Sequence, residues 1–203
     1  MEYESFQFKF EGESNLFENT RHRIEESQER SIAPTDMARF FNLFTNRALA
    51  ADIFSVVEDA RIDFNLNNRY RGLNSAYQTV QSHALAQRGP IEDLPAQGAM
   101  VEILIRLSLY PIKTMSVPKN YTAEARSIAG VLRSIQSIAA TVQDTAEATI
   151  RIYHLINQIP NEAVPPEQWE EQDMENLSVP DPDMEDLLKQ FSQEETLEPG
   201  EDY

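Results

Sequence analysis

The segment "FSVVEDARIDFNLNNRYRG", residues 54–72, combines an apolar helical pattern with closely spaced charges. Apolar residues recur at helical spacing from about Asn46 to Tyr70, which predicts a single helix. One face of this helix consists of Leu49, Ile53, Val56, Val57, Ala60 and Phe64. A second apolar side includes Phe54 and Ile62, so we expect the helix to pack on two sides.

Glu58 lies on that second side, roughly opposite Leu49. Because desolvating a lone carboxylate costs several kcal/mol, a glutamate in this position must be ion-paired, protonated or bound to a cation. Arg61 follows three residues later on the helix and is close enough to pair with it. The sequence therefore predicts that Glu58 has a partner and leaves the identity of that partner open.

Three acids form an adjacent flank of the same helix, namely Asp52, Asp59 and Asp63. At about 100° per residue these side chains project in similar directions. A row of this kind either binds a cation or is an ordinary solvated face.

The N-terminal region contains a different pattern. Phe6, Phe8 and Phe10 alternate with polar residues, which predicts a short strand. No second strand is evident, so this segment either pairs with something outside the chain or is simply extended. Residues 15–30 and 34–46 predict two helices. The apolar face of the second helix consists of Met37, Phe40, Phe41 and Phe44.

The C-terminal side is predicted to be helical as well. Residues 73–87 continue the helical pattern, and residues 98–110 are nearly all apolar, which predicts a central buried helix. Residues 111–121 contain two prolines and are expected to form a loop. Apolar residues then recur at threes and fours over residues 122–158, which predicts one long helix of roughly 54 Å that bends near Gly130.

Charge is distributed unevenly along the chain. The net charge is −17, and residues 161–203 carry −14 of it through 15 Asp and Glu against one Lys. Neither half offers a basic patch for phosphate backbones, so nucleic-acid binding is not expected. The composition and the periodicity predict an all-α helical bundle over residues 1–160. They also predict an acidic, proline-containing disordered linker or tail over residues 161–203.

One short apolar patch lies in this predicted tail. Its members have the spacing of one helix face and are Met184, Leu187, Leu188 and Phe191. The patch either docks in the groove of a basic-surfaced partner, steered there by the surrounding acids, or belongs to a plain interdomain linker.

Several classes of site are absent from the sequence. Cysteine does not occur, which excludes thiolate zinc sites and cysteine nucleophiles. HExxH, GxSxG and phosphate-binding Gly-rich motifs do not occur either, and His22, His83 and His154 are isolated from one another.

No apolar run approaches the ~20 residues of a membrane span. The N-terminus lacks the features of a signal peptide, so we expect a cytoplasmic protein that does not bind membranes.

The segment "FFNLFTNRALAADIFSVVEDARIDFNLNNRYRGL", residues 40–73, resembles the region ahead of the von Willebrand factor A domain in the nitric oxide reductase activation protein family. Related proteins include the Rubisco-activation and cobaltochelatase-subunit types. The family pattern is a helix reading E-D-A-R-[IV]-[DE] and a following turn. The matching residues are Glu58, Asp59, Ala60, Arg61, Ile62, Asp63, Arg69 and Tyr70. Arg71 stands where proline is common in the family.

The resemblance implies a role for Glu58. Larger relatives can carry HExxH upstream, and the glutamate of the motif is then a plausible third metal ligand. The two histidine ligands of such a site are missing here, so no cofactor is expected in this chain alone. A divalent metal would be bound only if another segment completed the site.

The resemblance also implies protein partners. Relatives end in a von Willebrand factor A domain and work with a MoxR-type AAA+ ATPase to activate metalloenzymes. The DxSxS signature of that domain does not occur here, which suggests a piece of a longer protein or of a split system. The first functional hypothesis is therefore a non-catalytic helical adaptor of such a system. The alternatives are a fragment or degenerate form of a zincin-like metallohydrolase, and a helical interaction protein without metal.

Overall fold

The structure is a computed structural model that describes Leu16, residues 35–109 and residues 113–173. Within these ranges the chain is mostly helical and contains one two-stranded sheet, so the all-α prediction is confirmed in its coarse form. The strand predicted at residues 6–10 and nearly all of the helix predicted at 15–30 lie outside the described residues. None of the described helices is long and apolar enough to cross a membrane.

The elements alternate between helices and short connections. The helices are α1 (Asp36–Asn42), α2 (Arg47–Arg69), α3 (Asn74–Ala86), α4 (Ala96–Ser108), α5 (Thr122–Ile135) and α6 (Val142–Asn157). The strands are β1 (Thr114–Pro118) and β2 (Trp169–Asp173). The short 3-10 turns are Arg71–Leu73, Ile91–Asp93, Lys119–Tyr121 and Pro166–Gln168.

Helix α2 matches the prediction made from residues 54–72 and their neighbours. It begins after Asn46, whose side-chain oxygen accepts a hydrogen bond from the backbone N–H of Leu49 at 3.1 Å. A cap of this kind stabilises a helix by about 1 kcal/mol. The helix is also apolar on two sides, as predicted, because Ile53 packs in one core cluster and Phe54 in another.

The larger cluster surrounds α4, which is the central buried helix that the apolar run at 98–110 predicted. Met100, Ile103 and Leu104 are fully buried. They pack with the apolar faces of α2, α5 and α6. Burying one such side chain contributes about 1.5–3 kcal/mol, so this cluster is the main source of stability in the described chain.

The smaller cluster is aromatic and joins α1 to α2. Phe40 contacts Phe41, Phe44 and Phe54 at ring-centroid distances of 5.1–5.8 Å. Phe44 also meets the ring of Tyr153 on α6 at 4.7 Å. The apolar face predicted for the helix at residues 34–46 therefore packs into this cluster.

The long helix predicted over residues 122–158 is wrong. The structure has two helices, α5 and α6, separated by residues 136–141. The break does not fall at Gly130, which lies inside α5. Its physical cause is the capping box at the start of α6, where the side chain of Asp144 accepts hydrogen bonds from the backbone N–H and the hydroxyl of Thr141 at 2.7 and 2.8 Å. This box starts a new helix that the apolar periodicity did not separate from the old one.

The sheet corrects two further predictions. Residues 111–121 were expected to be a loop and residues 161–203 a disordered linker, yet β1 and β2 pair in antiparallel register, with Val117 opposite Glu170 and Pro118 opposite Trp169. Val117 is fully buried, and Trp169 packs against the larger cluster. Residues 163–173 therefore belong to the folded body. The apolar face of β1 and the side chain of Trp169 on β2 supply the apolar contacts that the acidic composition of this segment otherwise lacks.

Candidate functional site

At the start of the motif of residues 58–70, Glu58 and Arg61 form a cluster between α2 and α6 with Thr145. Glu58 is only 3% exposed. Its carboxylate accepts two hydrogen bonds from Arg61, from Nε at 2.9 Å and from Nη2 at 2.5 Å. The hydroxyl of Thr145 on α6 donates a third at 2.6 Å. Of the partners that the sequence left open, the structure therefore shows Arg61, and it adds Thr145, which sequence reasoning missed.

Arg61 also connects this cluster to the α5–α6 turn. Its Nη1 donates a hydrogen bond to the backbone carbonyl of Ala140 at 3.3 Å. Ala140 directly precedes Thr141, which caps α6. The guanidinium thus holds the carboxylate of Glu58 with two nitrogens and the turn with the third, a fork geometry that lysine could not provide.

Asp63 faces α3 rather than α6. Its carboxylate accepts a hydrogen bond from Nε2 of Gln81 at 3.2 Å. Tyr77, also on α3, has a raised pKa because of burial first and its hydrogen bond to Asp63 second. Asp63 therefore anchors α3 to α2, and Gln81 is the one residue of α3 that is buried, at 9% exposure.

In the acidic flank that the sequence predicted, burial and neighbouring charges change the pKa of Asp59. Burial, the charge of Asp63 and the charge of Glu58 together raise the pKa of Asp59, in that order. Asp52, about two helical turns before Asp59, is exposed. Among the residues that the structure describes, no three His, Asp or Glu side chains are grouped so that they could hold a metal ion.

The end of the motif lies at the surface. Arg69 is the last residue of α2, and its guanidinium carbon is 5.9 Å from the ring centroid of Tyr70. Tyr70 is 51% exposed, and its backbone N–H closes the helix on the carbonyl of Leu66 at 2.8 Å. The motif residues therefore separate into three environments: a buried pair, an anchor for α3 and an exposed helix end.

The apolar run at residues 98–110 contains another buried carboxylate, which sequence reasoning missed. Glu102 on α4 accepts hydrogen bonds from Nε of Arg88 at 2.5 Å and from Nε of Arg106 at 2.8 Å. Burial alone would raise the pKa of Glu102, but the hydrogen bonds and charges of the two arginines outweigh it and lower that pKa. The signal was present, since Glu102 interrupts an apolar run and Arg106 follows at i+4.

The remaining predicted residues do not join these clusters. His83 and His154 are exposed, and the ring Nε2 of each lies 2.9 and 2.8 Å from the amide nitrogen of Gln87 and Gln158, respectively. His22 and the apolar patch of the tail lie outside the described residues. The members of that patch are Met184, Leu187, Leu188 and Phe191.

The hydrogen bonds around the motif join helices to one another and are typical of a structural role. A guanidinium and a hydroxyl hold Glu58, and an amide and a phenol hold Asp63. Comparison with known proteins adds no assignment: no protein-family model, no curated protein and no solved structure matches this chain significantly.

Proposed function

We propose that the chain is a non-catalytic helical adaptor that acts with a MoxR-type AAA+ ATPase and a von Willebrand factor A protein in the activation of a metalloenzyme. The choice of partners rests on the resemblance of residues 40–73 to the nitric oxide reductase activation protein family. The observation that carries the non-catalytic part is the hydrogen bonding of Glu58, the residue that matches a metal ligand in larger relatives.

The contacts of Glu58 favour a structural role for the motif. Both carboxylate oxygens accept hydrogen bonds, one from Arg61 alone and the other from Arg61 and Thr145. A cation brought to this carboxylate would sit beside the guanidinium of Arg61 and would be repelled by it. Recruiting Glu58 to a metal would therefore require breaking a buried ion pair, which typically costs about 3–5 kcal/mol.

An adaptor also needs a surface for its partner, and α3 with the preceding turn offers one. The large apolar side chains exposed between residues 62 and 80 are Ile62, Tyr70, Leu73 and Val80, which we call the α3 surface. Helix α3 contributes little to the core, since Gln81 is its one buried residue. Exposed apolar side chains on a weakly packed helix are typical of a protein–protein contact.

Binding to a purified MoxR-type ATPase tests the adaptor function. We expect the full chain to bind the ATPase in at least one nucleotide state, and Val80→Asp to weaken that binding by at least tenfold. Ile138→Asp is the matched control, because Ile138 is 77% exposed but lies between α5 and α6. Absence of binding in every nucleotide state, or an equal loss in both variants, would contradict the proposal.

Zinc titration distinguishes the adaptor from the alternative metallohydrolase fragment. One glutamate and scattered histidines cannot build a closed tetrahedral site, so we expect no specific heat of Zn²⁺ binding. A stoichiometric site of submicromolar affinity that Glu58→Gln abolishes would favour the metallohydrolase fragment instead.

A further inference from the structure

Helix α3 presents an apolar face to solvent. One side of the helix is held to the body through Gln81, whereas the neighbouring side is exposed. Ala76, Val80 and Ala84 recur one turn apart on this exposed side. Val80 is 64% exposed, and Leu73, just before the helix, is 53% exposed. The small alanines beside Val80 leave room for another helix to lie along this face.

The charge around this face is the opposite of that of the whole protein. Residues 64–91 contain no Asp or Glu, although the chain has 34 acids, and they contain three arginines. Two of these, Arg69 and Arg71, flank Tyr70 in the α3 surface and are exposed. Neither joins a salt bridge with any described residue. A surface that is both apolar and basic complements a partner that is apolar and acidic.

The chain itself contains a segment with this chemistry, outside the described residues. Residues 181–195, which we call the docking segment, contain six Asp or Glu and one Lys. Its apolar residues recur at i, i+3, i+4 and i+7 and are Met184, Leu187, Leu188 and Phe191. This is the spacing of the anchors by which an amphipathic helix lies on an apolar surface.

The connection to the docking segment is long enough to reach this face. β2 ends at Asp173, which lies opposite Thr114 in the sheet. Thr114 follows Leu109 by only five positions, a distance of at most about 18 Å, and Leu109 lines the same surface depression as Arg71. The eleven positions from Asp173 to Met184 span up to about 36–40 Å. The docking segment therefore reaches the start of α3 without any change in the folded body.

We propose that the docking segment binds the α3 surface of its own chain. Its apolar residues cover Leu73 and Val80, and its acids lie near Arg69 and Arg71. A short tether gives the segment an effective concentration in the millimolar range, so a contact that is weak between separate molecules is sufficient here.

The docked segment would also regulate the adaptor. If the ATPase binds the α3 surface, the docking segment competes with it and lowers its affinity for the full chain. This consequence rests on the proposed function, whereas the docking itself does not.

Paramagnetic broadening in the isotope-labelled full chain tests the docking. The chain has no cysteine, so a nitroxide can be attached to a single introduced thiol. Gln193→Cys places it opposite the apolar side of the segment, at about 100° per residue. We expect the label to broaden the amide signals of residues 73–84, and we expect the same broadening when the labelled chain is diluted.

Matched variants show whether the two apolar surfaces meet. Leu188→Asp in the segment and Val80→Asp on α3 are each expected to abolish the broadening. Leu197→Asp, in the tail but outside the segment, and Ser55→Asp, at an exposed site of α2, should leave it unchanged. The proposal is overturned if residues 73–84 are not broadened or if Val80→Asp has no more effect than Ser55→Asp. It is also overturned if broadening arises only between a labelled and an unlabelled copy, which would indicate association of two chains.

Binding of the ATPase separates this inference from the proposed function. The docking is measured without the ATPase, so broadening without ATPase binding supports the docking and contradicts only the adaptor function. ATPase binding without broadening does the reverse. If both hold, Leu188→Asp should raise the affinity for the ATPase about tenfold by uncovering the α3 surface, and an unchanged affinity would contradict the competition.

Discussion

At the scale of single residues, the buried glutamates of the described residues are Glu58, Glu102 and Glu147, and the first two are paired with arginine on their own helix. Glu58 and Glu102 are 3% and 6% exposed. Each is held by arginine, and in both cases one arginine follows on the same helix, at i+3 or i+4. A buried carboxylate is tolerated only with such partners, so removing the arginine is strongly destabilising because it leaves an uncompensated buried charge.

The pair formed by Glu58 and Arg61 predicts a large effect of Arg61→Ala. The substitution removes the paired guanidinium from a carboxylate that is only 3% exposed, so we expect a loss of about 3 kcal/mol in the free energy of unfolding. Urea melts measure this loss. Asp63→Ala should cost less, because Asp63 is half-exposed and its donors are neutral. Equal small losses in the two variants would mean that Glu58 is hydrated in solution.

The lowered pKa of Glu102 predicts a pH-dependent contribution to stability. Since the pKa is lower in the folded state than the unfolded value of 4.5, the contribution is fully present above that value and is lost as the pH falls through the folded pKa. We therefore expect Glu102→Gln to destabilise the protein at neutral pH and to have a progressively smaller effect below about pH 4.5. Urea melts of both proteins across this range measure the difference, and Asp52→Asn is the exposed control. A difference that does not depend on pH would contradict the assignment.

At the scale of elements, the connection between α5 and α6 determines how the C-terminal half folds. Two successive amphipathic helices on the same side of the core have continuous apolar periodicity, so they look like one helix in the sequence. The capping box of Thr141 and Asp144 separates them. The backbone N–H of Leu16 also donates a hydrogen bond to Asp144 at 2.7 Å, so this helix start is a point of attachment for an earlier part of the chain.

Removing the cap should destabilise α6 specifically. We expect Thr141→Ala to cost about 1 kcal/mol, because the first N–H groups of α6 lose their side-chain acceptor. Ser134→Ala near the end of α5 is a suitable control: Ser134 is exposed and its hydroxyl bonds only to the carbonyl of Gly130 within its own helix. Hydrogen exchange should show faster opening in the first turn of α6 for Thr141→Ala alone. Similar exchange in both variants would mean that the box does not define the helix start.

At the scale of the whole molecule, the sheet attaches the start of the acidic segment to the helical body. β1 follows α4 after residues 109–113, and β2 begins only after the chain has passed through α5 and α6. Pro95 and Ala163 form a further isolated bridge between the start of α4 and this segment. Within the described residues, the folded body therefore continues to residue 173, past the boundary predicted at residue 160.

Two truncations measure the contribution of β2. A chain that ends at residue 165 loses β2 and the packing of Trp169 against the core, whereas a chain that ends at residue 173 retains both. Burying a large side chain contributes about 2 kcal/mol, so we expect the shorter chain to melt about 5 °C lower than the longer one. Trp169→Ala in the full chain should lower the melting temperature in the same direction. If the two truncated chains melt alike, the sheet does not contribute to global stability.

Local patterns in the sequence were sufficient to predict the elements that depend on residues close together in the chain. The two-sided apolar pattern of α2, the aromatic face of α1 and the buried character of α4 could all be predicted, because helical periodicity reports which faces are buried. The burial of Glu58 followed from the same periodicity. Arg61 was a foreseeable partner because it lies one helical turn away.

Only the tertiary structure decided the features that depend on residues far apart in the chain. Thr145 reaches Glu58 across 87 positions, and β1 pairs with β2 across about fifty, so neither contact leaves a local signature. The strand β2 is acidic and has no alternating apolar pattern of its own, because its stability comes from the ladder with β1 and from Trp169. The surface depression lined by Asp63, Asn67 and Asn74 likewise arises from tertiary packing, since the end of α4 and Gln136 complete its walls.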